Sequence, residues 1–389
     1  MVINRNKVVK KLTELGSEFP VIGIIGPRQI GKTTISKELG KLLNKETIYF
    51  DLERPSDIDR LADAEFTLSQ YADKCVIIDE IQVKPDLFPL LRALVDEKRK
   101  PLRFIILGSA APFLIRDTSE SLAGRIAYIE LGGFNITETK QIVDLNTHLF
   151  RGGFPLSLLA KTDKASQNWL DNFIQTYTER DLPQLGLPAS PIVIRRLLEM
   201  IAWQHGNLLN SNSLGKSLGV SYHTLNKYLD FLEGAFLITR LQPFHYNIKK
   251  RLVKSPKIYL NDVGVMHRLL RLQSYDQLLG SPFAGASWEG FVIDQIKHWK
   301  PSDIDLYFYR AHTGAEVDLV LVKGLQPIAT VEIKFSSSAS LTKGFLNSTE
   351  TLGTQSNFVI LPQADNYKIK ENIEVCDLEY FLEEKLNNL

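Results

Sequence analysis

The first part of the chain alternates short apolar runs with longer amphipathic stretches. The short runs are rich in Val, Ile and Tyr, which favour strands, and the stretches between them have helical spacing. Near-continuous hydrophobicity, as in residues 76–78 and 104–107, is typical of strands buried on both faces. We therefore predict an α/β sandwich around a parallel sheet, with strands at residues 21–25, 47–51, 75–79, 103–107 and 126–131.

The pattern turns helical from about residue 135 to residue 206. Trp169, Phe173 and Tyr177 recur at spacings of four there, so they share one helix face, and such a stripe is typical of core packing. Prolines at positions 183, 188 and 191 then interrupt the chain and indicate a domain junction.

The remainder of the chain divides again near residue 282. Residues 192–281 contain helices and two strand-like runs, whereas a helix and strands at 306–310, 317–322 and 328–334 follow, which is α/β once more. One hydrophobic core usually organises at most roughly 250 to 300 residues, so a chain of 389 residues is expected to split. We predict an α/β multidomain protein with domains at residues 1–190, 191–281 and 282–389.

A phosphate-binding motif lies between the first predicted strand and the helix after it. The sequence Gly-Pro-Arg-Gln-Ile-Gly-Lys-Thr at residues 26–33 fits G-x-x-x-x-G-K-[ST]. Its glycines let successive N–H groups and the helix N-terminus surround phosphate oxygens, while Lys32 reaches the β and γ phosphates and Thr33 holds Mg²⁺. ATP and Mg²⁺ are the expected cofactors, and the predicted nucleotide-binding residues are Gly26, Pro27, Arg28, Gln29, Ile30, Gly31, Lys32, Thr33 and Thr34.

Polar residues after later strands extend this site. Asp79 ends a buried strand and is expected near Mg²⁺ with Thr33, and the adjacent Glu80 is a candidate general base for the attacking water. Ser109 follows the next strand, where it either senses the γ-phosphate or caps a turn. Arg125 is a candidate arginine finger or sensor, acting in its own chain or in a neighbouring one, with an ordinary surface arginine as the alternative.

Residues 213–233 have the form of two helices joined by a glycine turn, with Ser221 as the predicted N-cap of the second helix. Strand-like runs at 237–241 and 258–260 would complete a winged helix. Basic and polar residues on the exposed helix face and between the two runs suit contacts to DNA phosphates, and a protein-binding unit is the alternative. These residues are His223, Thr224, Lys227, Lys249, Lys250, Arg251, Lys254 and Lys257.

Acidic residues interrupt the apolar strands near the C-terminus at a period of two, which places Asp318, Glu332 and Lys334 on one face. Glu289, in the helix that begins near Trp288, is a candidate third carboxylate. Converging carboxylates repel each other unless a divalent cation joins them, and a nearby lysine can orient water for phosphodiester attack. These residues therefore form a candidate metal site, with cleavage left open.

The chain resembles the bacterial and archaeal AAA-type ATPases that carry a C-terminal DUF4143 domain, along nearly its whole length. Besides the phosphate-binding motif, the resemblance rests on Ile-Asp-Glu-Ile-Gln at 78–82 and Leu-Gly-Ser-Ala at 107–110. It implies nucleotide binding through Gly31, Lys32 and Thr33, an acidic pair, and Ser109 in the first-sensor position. Ala110 is a departure, because many members have a second hydroxyl residue there.

The order Glu289, Asp318 and then Glu-x-Lys is similar to the core of the PD-(D/E)XK nucleases, as the C-terminal part of DUF4143 proteins generally is. The resemblance thus implies a P-loop parallel-sheet domain, a helical and winged-helix middle domain, and a C-terminal domain like a restriction endonuclease. Many such folds persist as binding modules, so the fold leaves nuclease activity undecided.

The composition of the chain limits the kinds of partner that it is expected to bind. With 46 basic and 45 acidic side chains the net charge is +1, so a nucleic acid would have to meet a local basic patch. Two distant cysteines, Cys75 and Cys376, suggest neither disulfides nor zinc and fit a reducing compartment. No run approaches the roughly 20 apolar residues that cross a bilayer. We expect a cytoplasmic protein with no membrane partner.

These features predict an ATP-binding and ATP-hydrolysing switch that acts on DNA or on a protein partner. A metal-dependent DNA nuclease regulated by ATP and a non-catalytic, ATP-gated signalling scaffold are the alternatives. A kinase is disfavoured because no substrate lid or acceptor site is visible. Relatives of this kind often form rings, so a homo-oligomer is one possible state of the chain.

Overall fold

The computed structural model describes residues 3–42, 45–111, 122–245, 253–311 and 314–389. The chain forms two compact units. Unit 1 contains residues 1–133, 184–187 and 230–236, and unit 2 contains residues 134–183, 188–229 and 237–389. The three predicted domains stay a prediction, and the helical stretch after residue 134 falls into unit 2. The physical reason is that Ile136, Leu149 and Phe150 share an apolar core with Trp288 and Phe291.

Unit 1 is built on a five-stranded sheet whose pairings are all parallel. The sheet order is β2-β3-β4-β1-β5. The predicted parallel sheet is confirmed, with the fourth strand shifted by one residue and the fifth strand ending one residue earlier than predicted. The strands are β1 (Val21–Ile25), β2 (Thr47–Asp51), β3 (Cys75–Asp79), β4 (Phe104–Gly108) and β5 (Ile126–Glu130).

The two most apolar strands, β3 and β4, are buried along their whole length, as their uninterrupted hydrophobicity predicts. Since β4 lies between β1 and β3, the residues that follow these three strands meet at one edge of the sheet. The described helices of this unit are α1 (Asn6–Glu18), α2 (Lys32–Leu42), α3 (Pro55–Arg60), α4 (Ala64–Ser69) and α5 (Leu87–Glu97).

A series of helices follows in the chain, several of which begin at a side-chain cap. Asp144, Thr162 and Asn210 each accept a hydrogen bond from a backbone N–H of the first turn, which satisfies a donor that the helix itself leaves free. The helices are α6 (Ile136–Thr139), α7 (Leu145–Arg151), α8 (Pro155–Leu158), α9 (Asp163–Thr176), α10 (Leu182–Gln184), α11 (Pro191–Trp203), α12 (Ser211–Leu218) and α13 (Tyr222–Gly234).

The aromatic stripe of α9 packs as predicted. The rings of Trp169 and Phe173 lie 5.2 Å apart between centroids, and those of Phe173 and Tyr177 lie 5.1 Å apart. Phe173 and Tyr177 are buried, so the stripe belongs to the core of unit 2.

The predicted pair of helices with a glycine turn is present as α12 and α13. Gly219 ends α12 in the left-handed region at φ 78°, and the Ser221 hydroxyl accepts a hydrogen bond from the Thr224 N–H at 3.1 Å. Strands β6 (Ile238–Leu241) and β7 (Lys257–Leu260) follow and pair antiparallel. These are the elements that a winged helix requires, and the assignment itself stays a prediction.

The C-terminal part of unit 2 contains a six-stranded mixed sheet in the order β12-β13-β11-β10-β9-β8. Strands β9 and β10 form a hairpin, whereas β10, β11 and β13 run parallel. The predicted α/β character is confirmed, and the last three strands were not predicted. The strands are β8 (Ile304–Arg310), β9 (Glu316–Lys323), β10 (Gln326–Ile333), β11 (Ser356–Leu361), β12 (Tyr367–Lys370) and β13 (Ile373–Asp377).

Helices cover both faces of this sheet, with one apolar core around Trp288 and another around Phe345. The helices are α14 (Val263–Leu269), α15 (Tyr275–Leu279), α16 (Ala284–Trp299), α17 (Lys343–Leu352) and α18 (Leu378–Tyr380). None of the helices within the described ranges is long and apolar enough to cross a membrane.

Candidate functional site

The phosphate-binding motif forms a tight loop between the end of β1 at Ile25 and the start of α2 at Lys32. The backbone has positive φ at Gly26, Gln29 and Gly31, with values of 150°, 62° and 98°. A Cβ atom at Gly26 would lie 2.3 Å from the Leu131 carbonyl oxygen, whereas one at Gly31 would meet no atom within 4 Å. Glycine is therefore needed at the first position for space, and at Gly31 for the conformation of a loop that leaves room for a ligand.

The Lys32 side chain is 6% exposed and lies over this loop. Its Nζ donates hydrogen bonds to the carbonyl oxygens of Gly26 at 2.8 Å and of Pro27 at 2.9 Å. Burial lowers the pKa of Lys32 to about 8, against the opposing effect of Glu80 and Asp79. A buried ammonium group held in a loop of backbone N–H groups is suited to an anionic ligand.

Thr33 and Asp79 lie in direct contact. The Thr33 hydroxyl donates a hydrogen bond to Asp79 Oδ2 at 2.6 Å, and the Tyr49 hydroxyl donates to the same oxygen at 2.6 Å. Burial, followed by the hydrogen bond to Asp79, raises the pKa of Tyr49. A hydroxyl beside a carboxylate fits Mg²⁺, which in phosphate sites binds one or two protein oxygens and otherwise water and phosphate.

Glu80 directly follows β3 in the left-handed region, at φ 55°. Its Oε2 accepts hydrogen bonds from the Ser109 hydroxyl at 3.0 Å and from the side-chain amide of Gln82. The Gln82 amide also donates to the Ser109 oxygen at 2.9 Å. Ser109 is buried and contacts the carboxylate of Glu80, which is more than a turn-capping role requires.

Arg28 extends the charged part of the loop. Its guanidinium donates to Glu53 Oε1 at 2.8 Å and lies 4.0 Å from Glu80 Oε2. The structure therefore brings Arg28, Lys32, Thr33, Asp79, Glu80 and Ser109 together at the edge of the sheet where β1, β3 and β4 end.

Arg125 lies elsewhere, and a role for it at the phosphate site of its own chain is wrong. Its carbonyl oxygen accepts a hydrogen bond from the Val21 N–H at the start of β1, so it lies at the opposite edge of the sheet. Crossing a strand of five residues takes roughly 16 Å. The guanidinium instead donates two hydrogen bonds to Asp96, at 2.6 and 2.8 Å. A role in a neighbouring chain stays a prediction.

A second charged cluster lies in unit 2, and we call it the C-terminal acidic cluster. It consists of Glu289 on α16, Glu316 and Asp318 on β9, Glu332 on β10, and the lysines 257 and 334. Lys334 Nζ lies 2.7 Å from Glu332 Oε1, and Asp318 Oδ2 accepts the Ile333 N–H at 2.9 Å. The structure thus brings the predicted residues Glu289, Asp318, Glu332 and Lys334 into one neighbourhood.

The placement of Lys257 corrects the sequence prediction. Instead of facing solvent between the two strand-like runs, its side chain is 5% exposed and belongs to the C-terminal acidic cluster. Its Nζ lies 2.9 Å from Glu289 Oε1, 3.1 Å from Glu316 Oε1 and 3.6 Å from Asp318 Oδ1. The reason is that Lys257 begins β7, and three carboxylates around its ammonium group offset the cost of burying it.

Protonation in this cluster follows burial and the neighbouring charges. Burial alone would lower the pKa of Lys257, but Glu289, Asp318 and Glu316 outweigh it and raise that pKa. Burial and then Asp318 raise the pKa of Glu289, and the same two causes raise the pKa of Glu332 to about 7.

The other candidates for nucleic-acid contact are only partly described. His223 and Lys227 are exposed near the start of α13, and Thr224 is half-buried. Lys254 is exposed, while Lys249, Lys250 and Arg251 lie outside the described residues.

Sequence reasoning missed Tyr49, Gln82 and Glu316. Strand alternation contained a signal for two of them. Tyr49 shares a sheet face with Asp51, which pairs with Asp79, and Glu316 stands two positions before Asp318. Gln82 lies after the strand in a short turn, Ile81–Val83. Side chains in such a turn follow no regular alternation that would predict which way Gln82 points.

Family models match three successive parts of the chain. The model of an AAA domain matches residues 18–140, and models of two domains of unknown function, DUF8612 and DUF4143, match residues 142–276 and 284–381. The uncharacterized protein Rv2008c of Mycobacterium tuberculosis is 38% identical over 382 residues, which are 98% of this chain and 85% of that protein. An uncharacterized protein of Haemophilus influenzae is 22% identical over 295 residues, covering 68% of this chain and 72% of its own.

Among solved structures, the Walker-type ATPase Paby2304 of Pyrococcus abyssi is similar to this chain, with a TM-score of 0.48 and 16% identity. The match covers 70% of this chain and 96% of that one.

Proposed function

Because the chain belongs to the family of AAA-type ATPases with a C-terminal DUF4143 domain, we propose that it binds ATP at the loop of residues 26–34 and hydrolyses it with Glu80 as the general base. The contact that carries the proposal is the 2.6 Å hydrogen bond between the Thr33 hydroxyl and Asp79. It joins the phosphate-binding loop to the strand that carries the acidic pair, as Mg²⁺-assisted phosphoryl transfer requires.

Each side chain has a distinct task in this proposal. Lys32 moves from the loop carbonyls to the β and γ phosphates, where its charge offsets that of the transferring group. Thr33 and Asp79 would hold Mg²⁺, which would neutralise charge on the phosphate oxygens. Glu80 accepts a proton from water while the water oxygen bonds to the γ-phosphorus and the bond to the bridging oxygen breaks. ADP and phosphate are the products.

Ser109 and Gln82 act as positioning residues for Glu80. Both donate hydrogen bonds to Glu80 Oε2, so they set the direction in which the carboxylate faces. The Ser109 side chain stands after β4, the strand next to β1.

The turnover assay tests this proposal directly. We expect Mg²⁺-dependent ATP hydrolysis that falls by about 100-fold or more in Lys32→Ala, because the phosphate-binding charge is lost. Lys41→Ala, on the exposed end of the same helix, is the matched control and should behave as wild type. Tight ATP binding with turnover no faster than background, unchanged by Glu80→Gln, would instead indicate a non-catalytic scaffold.

The second part of the proposal is that nucleotide state controls how the segment formed by α12, α13, β6 and β7 engages DNA. Exposed His223 and Lys227 at the start of α13 support it, since the early residues of such a helix approach a groove. Turnover should rise when duplex or single-stranded DNA is added. Turnover that is indifferent to both would favour a protein partner.

Salt dependence gives an independent test of DNA contact. If Lys227 contacts a phosphate, Lys227→Ala should reduce the slope of log affinity against log salt by about 0.9 for duplex DNA. Lys216→Ala, on the preceding helix, is the comparison variant. An affinity that hardly changes with salt in wild type contradicts DNA as the partner.

A further inference from the structure

The C-terminal acidic cluster combines carboxylates from separate elements around a lysine that comes from outside the six-stranded sheet. Glu289 is on α16, Glu316 and Asp318 are on β9, and Lys257 begins β7 of the two-stranded sheet. The lysine Nζ lies within 3.6 Å of a carboxylate oxygen of each of the three acidic residues. The Tyr259 hydroxyl, two residues along β7, also donates to Glu289 Oε1.

The likeness to PD-(D/E)XK nucleases implies a divalent cation bound by these carboxylates, and the side chains present do not fit one. A divalent cation needs oxygen atoms at about 2.0 to 2.6 Å with their charge available to it. Here the ammonium group stands among Glu289, Glu316 and Asp318. Across the ranges that the structure describes, no group of three or more His, Cys, Asp or Glu residues is arranged to hold a metal ion.

Other carboxylate oxygens of the cluster are also engaged. Glu332 is paired with Lys334 at 2.7 Å, Asp318 Oδ2 accepts the backbone N–H of Ile333, and Glu316 Oε2 lies 3.5 Å from the Arg310 guanidinium. Four carboxylates thus face three cationic side chains. A further double positive charge would be placed within a few ångströms of an ammonium group, where like charges repel strongly in a buried site.

We propose that the ammonium group of Lys257 takes the place of the divalent cation in the C-terminal acidic cluster. The nuclease-like arrangement is in this chain a closed ion-pair cluster that holds the two-stranded sheet against α16 and β9. It follows that this cluster supports the fold and does not hydrolyse phosphodiesters with a metal.

Mn²⁺ binding to the full-length, nucleotide-free protein tests the proposal, with free Mn²⁺ measured by electron paramagnetic resonance. Wild type and Asp318→Asn should bind Mn²⁺ equally, because no Mn²⁺ binds at the cluster in wild type. Lys257→Ala uncovers the carboxylates and should bind Mn²⁺ at least tenfold more tightly than wild type, and adding Asp318→Asn to it should remove the gain. Lys254→Ala, which removes an exposed lysine three positions earlier, should behave as wild type.

Two results would overturn the proposal. One is Mn²⁺ binding by wild type that falls tenfold or more in Asp318→Asn. The other is a folded Lys257→Ala protein with no gain in Mn²⁺ binding, since the lysine would then not stand in a cation position. Lys257→Gln repeats the test if the alanine variant does not fold, and the wild-type measurement needs no variant of Lys257.

A plasmid-nicking assay with Mg²⁺ or Mn²⁺ adds a functional readout. We expect that wild type does not cleave the plasmid in a way that depends on Asp318. Cleavage by wild type that Asp318→Asn abolishes would also overturn the proposal. ATP turnover is measured separately on the same proteins, so failure of the ATPase assignment and failure of this inference are distinguishable.

Discussion

Both units contain a buried lysine beside carboxylates, yet the two lysines are in opposite situations. Lys32 in unit 1 donates to the carbonyl oxygens of Gly26 and Pro27, and burial lowers its pKa to about 8. Lys257 in unit 2 stands among three carboxylates, which overcome the effect of burial and raise its pKa.

The difference distinguishes a site whose charged groups can bind a ligand from a cluster whose charges are balanced by one another. In unit 1 the positive charge and the acidic pair lie on different elements around a loop, and under the proposed function a nucleotide with Mg²⁺ enters between them. In unit 2 the positive charge is already among the carboxylates. The same residue types thus predict chemistry only when the source of the balancing charge is known.

Acid tests the comparison through the buried histidines, because all seven histidines of the chain lie at position 148 or later, outside unit 1. Burial lowers the pKa of His148 and His267 to about 4 and that of His205 to about 3. A histidine with a lowered folded pKa stabilises the fold above its unfolded pKa of about 6.5, and this stability is lost as pH falls towards 4.

At pH 5 the loss is about 2 kcal/mol of unfolding free energy for each of these histidines. The buried carboxyls of Asp262 and Glu332, whose pKa values burial raises to about 6 and about 7, change stability in the opposite direction over the same range, so the histidine effect has to be measured with a variant. His267→Gln should make unit 2 less sensitive to a change from pH 7 to pH 5 in amide hydrogen exchange, corrected for its intrinsic rate, and His223→Gln, at an exposed position, should not. Equal acid sensitivity of wild type and His267→Gln would contradict the prediction.

The next effect concerns the ion-pair cluster. Lys257→Met leaves buried carboxylates without their cation, and breaking such a pair costs about 3 to 5 kcal/mol of unfolding free energy. Urea unfolding followed by a probe in unit 2 measures the loss. Lys254→Met should change stability by less than about 0.5 kcal/mol. A loss below about 1 kcal/mol for Lys257→Met would show that the cluster is not a closed ion pair.

At the nucleotide site, Glu80→Gln is expected to lower ATP turnover by about 100-fold while ATP still binds, because the amide accepts no proton from water. Turnover and equilibrium binding of a fluorescent ATP analogue measure the two effects. Glu65→Gln, on an exposed face of α4, is the control and should leave both unchanged. If both turnover and binding fall together, Glu80 has a binding role instead.

The smallest effect is expected from the positioning of Glu80. Gln82→Ala removes a donor to the carboxylate, and we expect kcat to fall by about tenfold with little change in KM. A change in KM alone would mean that Gln82 contributes to nucleotide binding and not to the direction of the base.

One of the two wrong predictions, that for Arg125, could have been avoided from the sequence, whereas the one for Lys257 could not. Arg125 precedes a strand, and in a parallel sheet the starts of the strands lie opposite the phosphate-binding edge, so its remoteness from Lys32 follows from strand direction alone. The sequence places Lys257 with the basic residues between two strand-like runs, and nothing local marks it as one of the rare buried lysines.

The sequence by itself determined the parallel sheet of unit 1, the phosphate-binding loop and the acidic pair Asp79 and Glu80. These features depend on local patterns, namely apolar runs, glycine spacing and the residues at strand ends, which residues close in the chain settle between themselves. Tertiary structure alone decided that Ser109 and Gln82 converge on Glu80 and that Lys257 enters the carboxylates of Glu289 and Asp318. Such contacts join residues far apart in the chain, and which charge is buried beside which depends on how whole elements pack.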